Sequence, residues 1–555
     1  MVMEKINPIK RLLNLVALDK KEIMSIYFYA ILSGLVQLSV PLGVQAIISF
    51  VLGASMVTSI YVLIFIVVLG VLLVGVLQVN QMKIIEKIQQ RIFTRYAFDF
   101  SDKIPQIDIL KANSYYLPEK VNRFFDAVAV QKGISKILLD IPIASIQIVF
   151  GLLLLTFYHP IFSVFGLLVI STLYVILRMT SRKGWTTSME ESRNKYAVVA
   201  WFGEMTRMIK SFKFRHGTHM NLHKTDENVV GYLTARTSHF RVLLFQYRSL
   251  VLLKVLITLT MLVVGTYLLL NQILNVGEFI AAEIVILSII GAVEKLIGNL
   301  DNVYDVITGL EKLASVTELE SEKNGTLKYS NREIGSKLEM VDFGFTFPYG
   351  KTLFEKTNFS IPSNSFVLIS GQEGTGKTSL LNIFCGNYLN DDGGVLINGI
   401  PIANYDLISL RKCTGIYLNQ NEIFSGTLIE NISMGRKDVL PHNIVKLATE
   451  LGFTDFANSF KNGFETMLDP QGLKLSSTTV QKTLLLRALA GSSNLLLLDD
   501  PLKGFEEADQ VRIVDYLTSL KTTTIIIVSN NSKLLAKATM QLKIENKNIT
   551  IISNF

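Results

Sequence analysis

Six apolar stretches in the N-terminal part of the chain constrain its fold more than any other feature. A helix needs about 20 apolar residues, at 1.5 Å each, to cross a bilayer, and all six stretches meet or approach that length. Hydrophobic residues make up 49% of the 555 residues and charged residues only 18%, a composition typical of membrane proteins. The predicted spans are Ile23–Leu52, Ser59–Val79, Ile137–Phe157, Pro160–Leu177, Leu250–Leu270 and Phe279–Ile297.

The loops between these stretches predict how the spans are oriented. The short links at 53–58, 158–159 and 271–276 carry no Lys or Arg, whereas the long links at 80–136 and 179–248 are rich in both. Positively charged loops stay in the cytoplasm, which places the long links and both termini on that side. The same bias accounts for the net charge of +8. The basic residues are scattered and match no recognition motif, so we expect no nucleic-acid partner.

A phosphate-binding loop lies downstream of the spans, at Gly371–Thr378. Its sequence matches G-x-x-x-x-G-K-T in full and directly follows the apolar, strand-like run Phe366–Ile369. In such a loop the backbone N–H groups cradle the phosphates of ATP, the lysine reaches the β/γ-phosphates, and the threonine hydroxyl holds Mg²⁺. The residues predicted to bind the nucleotide here are Gly371, Gly374, Gly376, Lys377, Thr378 and Ser379.

A polar stretch between Glu311 and Lys337 divides the chain. Before it, Ile84–Phe93 and Lys195–Phe202 carry apolar residues at helical spacing, so we expect membrane helices to continue into the cytosol. After it, short apolar strands alternate with helical segments, which indicates a mostly parallel α/β sheet. The predicted strands are Phe366–Ile369, Gly415–Leu418, Asn494–Leu498 and Thr524–Val528.

These patterns predict an all-α transmembrane domain of six helices followed by an α/β P-loop NTPase domain. The predicted boundaries are 1–315 for the membrane domain, 316–336 for the linker and 337–555 for the nucleotide-binding domain.

Beyond the phosphate-binding loop, further segments make the chain similar to an ABC exporter half-transporter, in which six spans precede a nucleotide-binding domain. Phe343–Pro348 is similar to the opening strand of that domain, and the resemblance places Phe347 against the adenine of ATP. Leu495–Pro501 is similar to the Walker B strand, in which the resemblance gives Asp499 the role of orienting Mg²⁺ through water. The resemblance implies ATP and Mg²⁺ as cofactors.

The resemblance also exposes departures at the catalytic positions. Asp500 stands where the family has a catalytic Glu, and its carboxylate is retracted by about one C–C bond, ~1.5 Å. A misplacement on the scale of ~1 Å can lower a rate by about 10²-fold. Asn530 stands at the position of the switch histidine and carries no charge to stabilise a developing anion. We therefore expect ATP to bind and hydrolysis to be weak or to depend on a partner.

The signature segment Leu475–Thr479 retains Ser476, which the resemblance assigns to nucleotide contact across a dimer. Ser477 and Thr478 replace the glycines of the family and add Cβ atoms where the phosphate of the partner's nucleotide should pack. This segment therefore predicts a weakened closure over the second ATP.

The glutamine loop leaves two options for its Mg²⁺ ligand. Counting back from Phe424 places Asn419 at the glutamine position, whereas a one-residue deletion would restore Gln420. The metal-ligating candidates are therefore Thr378, Asp499 and Gln420.

Two membrane segments, Val40–Ala46 and Glu191–Ala197, are similar to the haemolysin-type exporters of type I secretion. This resemblance implies a peptide or protein substrate, a periplasmic adaptor, an outer-membrane channel and a place in the bacterial inner membrane, with the nucleotide-binding domain in the cytoplasm. A second half-transporter chain, identical or different, would complete the ATP sites. The alternatives are a regulatory or scaffolding membrane protein that binds ATP without pumping, and one half of a heterodimeric lipid or drug exporter.

Charged residues inside the predicted spans are candidates for the translocation path. One option pairs Lys254 with Glu283; the favoured option has Lys254 snorkelling to the interface and Glu283 facing a wet cavity. Glu294 is expected at the cytoplasmic exit. By resemblance, Leu117–Arg123 and Arg207–Phe214 are the segments expected to dock on nucleotide-binding domains.

Overall fold

The structure is a computed structural model that describes most of the chain. Its contacts form two compact units: one contains the described residues up to Pro105 and from 117 to Leu319, and the other contains 106–112 and the described residues from Glu320 onward. The described residues are 8–53, 57–112, 117–214, 217–389, 392–418, 420, 422–453, 456, 458 and 460–552.

The first unit is all-α, as the apolar stretches predicted. Within the described residues, six segments are long and apolar enough to cross a membrane, and each contains an 18-residue stretch with a mean hydropathy between 1.9 and 3.2. These six segments are Lys20–Leu52, Thr58–Gln106, Leu117–Tyr158, Pro160–Arg207, Met220–Leu270 and Val276–Thr317. The helices of this unit are Pro8–Leu18, Lys20–Gln37, Ser39–Leu52, Val57–Lys103, Leu117–Val121, Asp126–Tyr158, Ser163–Arg207, Ile209–Lys213, Met220–Leu270, Val276–Gly298 and Leu300–Thr317.

Three of these helices are far longer than a bilayer requires. Val57–Lys103, Ser163–Arg207 and Met220–Leu270 contain 47, 45 and 51 residues. At 1.5 Å per residue they are roughly 70 Å long, more than twice the roughly 30 Å of hydrocarbon. The segments Ile84–Phe93 and Lys195–Phe202 lie inside two of them, which confirms that these segments continue the predicted spans as single helices.

The first span is interrupted, which the hydropathy pattern did not predict. One helix ends at Gln37 and the next begins at Ser39, with Leu38 between them. Pro41 explains the break, because it has no N–H to donate to the carbonyl of Gln37 and its ring would clash with that carbonyl. Leu38 instead donates its N–H to the carbonyl of Leu35, at 3.2 Å.

The charged residue in the fifth span has a different partner from the proposed one. Lys254 Nζ lies 2.5 Å from Glu294 Oε2, so the option that paired it with Glu283 is wrong. Glu283 lies 11 residues earlier on the same helix, Val276–Gly298, or about three turns away. Lys254 therefore pairs with a later turn of that helix, and its snorkelling to the interface stays a prediction.

The second unit is built on a mostly parallel sheet whose strand order is β12-β11-β3-β10-β9-β6. The four predicted strands correspond to β3, β6, β9 and β10, which pair in parallel, and the prediction of a parallel α/β sheet is confirmed. A separate antiparallel sheet has the order β2-β1-β4-β5. The strands are β1 Leu338–Thr346, β2 Thr352–Ile361, β3 Phe366–Gly371, β4 Gly394–Ile397, β5 Ile400–Pro401, β6 Thr414–Tyr417, β7 Gly426–Thr427, β8 Met467–Leu468, β9 Leu495–Asp499, β10 Thr524–Val528, β11 Met540–Glu545 and β12 Asn548–Ile552.

Helices cover both faces of this sheet, and two apolar clusters fill the space between. One cluster contains Leu380 and Leu381 from the helix after the phosphate-binding loop, and the other contains Leu484 and Leu485 from the helix after the signature segment. The helices are Ile109–Ala112, Lys377–Phe384, Leu407–Lys412, Leu428–Ser433, Pro441–Glu450, Ser477–Leu489, Glu507–Ser519 and Ser532–Leu535.

A bidentate ion pair holds the linker to the second unit. Both terminal nitrogens of Arg411 lie 2.7 Å from the two carboxylate oxygens of Glu322. Arg411 also donates to the carbonyl of Gly386, at 3.1 Å. Ile107 and Ser321 form a β-bridge, so residues 106–112 of the first long link lie against the linker. This segment precedes Leu117–Arg123, the part of that link expected to dock.

We expect Arg411→Lys to lower the thermal unfolding midpoint of the purified protein. Lysine keeps the charge but loses the fork geometry, which leaves Glu322 and the Gly386 carbonyl short of donors and costs about 1–3 kcal/mol. The control is Lys412→Ala, a change at the exposed neighbour in the same helix. Equal midpoints for the two variants would contradict this assignment.

Candidate functional site

The phosphate-binding loop joins β3 to the helix Lys377–Phe384 through backbone conformations that favour glycine. Gly371, Gly374 and Gly376 have φ values of 153°, 79° and 98°. A Cβ on Gly371 would lie 2.7 Å from the carbonyl oxygen of Ile544, so a side chain there requires the backbone to shift. At these three glycines the loop therefore has the open backbone that close approach of a phosphate requires.

Lys377 is held inside this loop. Its Nζ donates to the carbonyls of Gly371 and Gln372, at 2.9 and 2.7 Å. Ser379 follows in the first turn of the helix, whose N-terminal N–H groups and dipole favour an anion. An arriving phosphate would compete for the lysine with two neutral carbonyls, and the charge-assisted contact is the stronger one.

The two residues predicted to hold Mg²⁺ on the loop side are in contact. Thr378 Oγ1 donates to Asp499 Oδ2 at 2.7 Å, joining the loop helix to the end of β9. Burial raises the pKa of the Asp499 carboxyl above its ordinary value, and the hydrogen bond from Thr378 opposes that rise. A hydroxyl and a carboxylate are oxygen ligands that suit Mg²⁺, so the donor set fits the cation.

Gln420, the third metal-ligating candidate, lies on an exposed turn after β6. Its N–H donates to the carbonyl of Leu418, at 2.7 Å. Asn419, the other option for the glutamine position, lies outside the described residues. The choice between the two therefore stays as the sequence left it.

Asp500 and Asn530 lie at the same edge of the sheet. In the parallel pairing of β9 with β10, Asp499 lies opposite Val528, so the residues that follow emerge side by side. Asp500 donates its N–H to the carbonyl of Val528, at 2.8 Å, and Ser529 Oγ donates to Asp500 Oδ1, at 2.9 Å. Asn530 is exposed next to this pair. The sequence did not indicate the role of Ser529.

The signature segment forms a helix start. Ser476 caps the helix Ser477–Leu489, because its Oγ accepts the N–H of Thr479 at 3.1 Å. Ser477 and Thr478 occupy the first turn of that helix. Their Cβ atoms are therefore accommodated within this chain, and any steric cost falls on an approaching phosphate.

Phe347 belongs to an aromatic group that the sequence only partly predicted. Its ring stacks on Tyr349 with centroids 5.0 Å apart and planes 10° from parallel. It also meets Phe345 and Tyr388 edge to face, at 5.0 and 5.9 Å. Tyr349 is exposed and offers a second aromatic face beside the one assigned to adenine.

Two polar residues, the half-buried Arg487 and the buried Tyr417, were missed because they lie in apolar runs. Arg487 donates to the carbonyls of Asn431 and Glu422, at 2.7 and 2.9 Å, and burial lowers the pKa of its guanidinium. Tyr417, the last residue of β6, is 1% exposed. Burial and the nearby carboxylates of Asp499 and Asp500 raise its pKa to about 12.

Six segments of the described residues are long and apolar enough to cross a membrane, and together with the phosphate-binding loop they indicate a multi-pass membrane protein with an ATP-binding domain. Residues 354–503 match the ABC transporter family. The chain therefore carries an ABC transporter ATP-binding domain joined to a transmembrane domain.

Similarity to individual proteins supports this assignment. The β-(1→2)glucan export ATP-binding/permease protein NdvA of Agrobacterium fabrum is 29% identical over 277 residues, or 48% of this chain and 46% of that protein. The ATP-dependent lipid A-core flippase of Vibrio vulnificus is 26% identical over 242 residues, or 43% and 41%. The alignments thus span less than half the length of these curated relatives.

A solved structure of a bacterial Atm1-family ABC exporter with ATP bound shares the whole fold. The TM-score is 0.86 at 14% sequence identity, and the match covers 97% of this chain and 96% of that one. The fold is therefore that of an ABC exporter.

The contact between Thr378 and Asp499 predicts how ATP binding depends on Mg²⁺. We expect Thr378→Val, which removes only the hydroxyl, to lower ATP affinity in Mg²⁺ by roughly 10- to 100-fold, the scale seen when the residues around a metal are disturbed. Thr378→Ser keeps the hydroxyl and should bind ATP like the unmodified protein. Equilibrium binding of fluorescent ATP, with Mg²⁺ and with EDTA, measures both. If the Val and Ser variants respond equally to Mg²⁺, Thr378 is not a metal ligand.

Proposed function

We propose that this chain is one subunit of a dimeric ABC exporter that binds MgATP firmly and hydrolyses it slowly. The proposal rests on a contrast within one site between the residues that hold MgATP and the residues that cleave it. Lys377 and the Thr378–Asp499 pair supply the groups that hold the phosphates and the cation. The positions for cleavage carry Asp500 and Asn530 instead of a glutamate and a histidine.

The backbone at Asp500 suits its short side chain. Its φ of 52° lies in the left-handed region, which Asp and Asn adopt more readily than longer residues. The hydrogen bond from Ser529 also keeps the carboxylate close to the sheet. A carboxylate held back in this way orients water poorly, so we infer that loss of rate, rather than loss of binding, is the consequence.

In the proposed dimer, ATP lies between the phosphate-binding loop of one chain and Leu475–Thr479 of the other. Ser476 remains as a polar contact, while Ser477 and Thr478 crowd the phosphate. Closure moves the membrane helices by rigid-body motion. A different partner chain that has the usual catalytic residues would also supply a signature segment with its glycines. A heterodimer is therefore proposed beside the homodimer. The proposed place is the bacterial inner membrane, with the ATP-binding domain in the cytoplasm.

The proposed substrate is a peptide or protein, on the strength of the two segments Val40–Ala46 and Glu191–Ala197 that are similar to type I secretion exporters. The names of two relatives point instead to lipid A-core and to β-(1→2)glucan, which makes a lipid or glycan exporter the second candidate. A periplasmic adaptor that co-purifies from native membranes supports the first. Its absence, together with lipid- or glycan-stimulated ATPase activity, supports the second.

ATP turnover by the full chain in lipid nanodiscs tests the proposed function. We expect slow turnover that Lys377→Ala abolishes, because the phosphates lose their only lysine contact in the loop. Combining Asp500→Glu with Asn530→His should raise the rate by about 10²-fold or more. The glutamate extends the carboxylate toward the attacking water, and the histidine restores a group that can carry positive charge. Thermal unfolding confirms that each variant is folded.

Two outcomes contradict the proposal. Unmodified protein that already turns over as fast as the double variant would show that Asp500 and Asn530 are adequate. Firm MgATP binding with no turnover in any variant, alone or with a partner chain, would instead favour the regulatory protein that does not pump.

A further inference from the structure

A buried hydroxyl without a partner lies beside the ATP site. The side chain of Tyr417 is 1% exposed, and its oxygen makes no hydrogen bond to any residue in the described part of the chain. A buried polar group left without a partner lowers stability, and most such groups in native proteins are paired. The hydroxyl of Tyr417 is therefore a buried donor that is available to a further partner.

The strand pairing shows where Tyr417 lies relative to Asp499 and Asp500, the two carboxylates of the site. Tyr417 ends β6 and lies opposite Leu498 of β9, one residue before Asp499. In a parallel sheet, side chains paired across neighbouring strands lie on the same face, and successive side chains alternate between faces. Asp499 therefore points away from the face of Tyr417, toward the loop helix that carries Thr378.

Asp500 follows Asp499 at the end of β9, two residues after Leu498, which lies opposite Tyr417. Leu498 and Leu502 pack in the same apolar cluster as the tyrosine ring. One oxygen of Asp500 accepts a hydrogen bond from the hydroxyl of Ser529, at 2.9 Å. Burial and the charges of Asp499 and Asp500 raise the pKa of the Tyr417 phenol, which places the Asp500 carboxylate near it.

We propose that Tyr417 is a positioning residue for Asp500, donating its O–H to the Asp500 carboxylate when MgATP fills the site. The inference rests on the proposed function, because it requires this site to bind MgATP. Ser529 and Tyr417 then hold the carboxylate from two sides. The Asp500 side chain is one carbon shorter than that of glutamate, and two donors fix its direction. The lone pairs of its oxygens that accept no hydrogen bond from these donors then face the nucleotide.

The test compares Tyr417→Phe with the unmodified full chain in lipid nanodiscs. Because the hydroxyl is unpaired without nucleotide, its removal should leave the thermal midpoint of the nucleotide-free protein unchanged or higher. MgATP affinity should fall by about 5-fold, the value of one hydrogen bond of ordinary strength. Equilibrium binding of fluorescent ATP reads this without relying on turnover.

Two further variants make the test specific. In an Asp500→Ala background, which removes the acceptor, Tyr417→Phe should have no additional effect on MgATP affinity. Tyr405→Phe is the matched control: this buried tyrosine donates to the carbonyl of Ile397, at 3.1 Å, so its change should lower the midpoint and leave affinity unaltered.

Several results would overturn the inference while leaving the proposed function intact. One is equal MgATP affinity for Tyr417→Phe and the unmodified protein. Another is a lower midpoint of Tyr417→Phe without nucleotide, which would make the hydroxyl structural. A third is the same loss of affinity in the Asp500→Ala background, which would assign the hydroxyl to another group. If the unmodified chain binds MgATP no better than Lys377→Ala, the proposed function itself fails.

Discussion

The hydrogen bond from Thr378 to Asp499 is the contact on which the rest of the site depends. It joins the helix that begins the nucleotide cradle to the end of β9, two elements 121 residues apart in the chain. The parallel pairing of β3, β10, β9 and β6 makes the contact available, because the carboxyl ends of parallel strands meet at one edge of the sheet. Glycine conformations in the loop, Asp500 and Ser529 all take their positions from that edge.

The site separates holding a nucleotide from cleaving it. Holding requires backbone N–H groups, one lysine and oxygen ligands for the cation, and these tolerate small displacements because electrostatic attraction acts over several ångströms. Cleavage requires a base within hydrogen-bond reach of the attacking water. It also requires a positively charged group beside the phosphate oxygens on which negative charge develops. The rate depends steeply on the geometry of both groups. In the proposed function, Asp500 and Asn530 weaken the groups for cleavage and leave the groups that hold the nucleotide intact. We propose that such a domain closes on ATP and passes that movement to the membrane helices.

The sequence predicted the spans and parallel strands well, because both follow from local periodicity: 20 or so apolar residues for a span, and a short apolar run before a turn for a buried strand. It missed features that depend on distant parts of the chain. The antiparallel sheet of β1, β2, β4 and β5 has mixed polarity, and its two hairpins, β1–β2 and β4–β5, are joined by the long-range pairing of β1 with β4. Lys254 pairs with Glu294 because of where two helices face each other. Tyr417 lies in an apolar strand, and only the fold shows that its hydroxyl is buried and that burial and the charges of Asp499 and Asp500 raise its pKa.

The chemical state of the nucleotide bound to the protein shows whether hydrolysis is slow. The chain in nanodiscs is loaded with radiolabelled ATP and Mg²⁺, separated from free nucleotide, and quenched in acid after increasing times. If hydrolysis is slow, the label recovered from the protein remains ATP long after binding is complete, and it converts to ADP much sooner when Asp500→Glu and Asn530→His are combined. Rapid conversion to ADP by the unmodified chain would contradict slow hydrolysis.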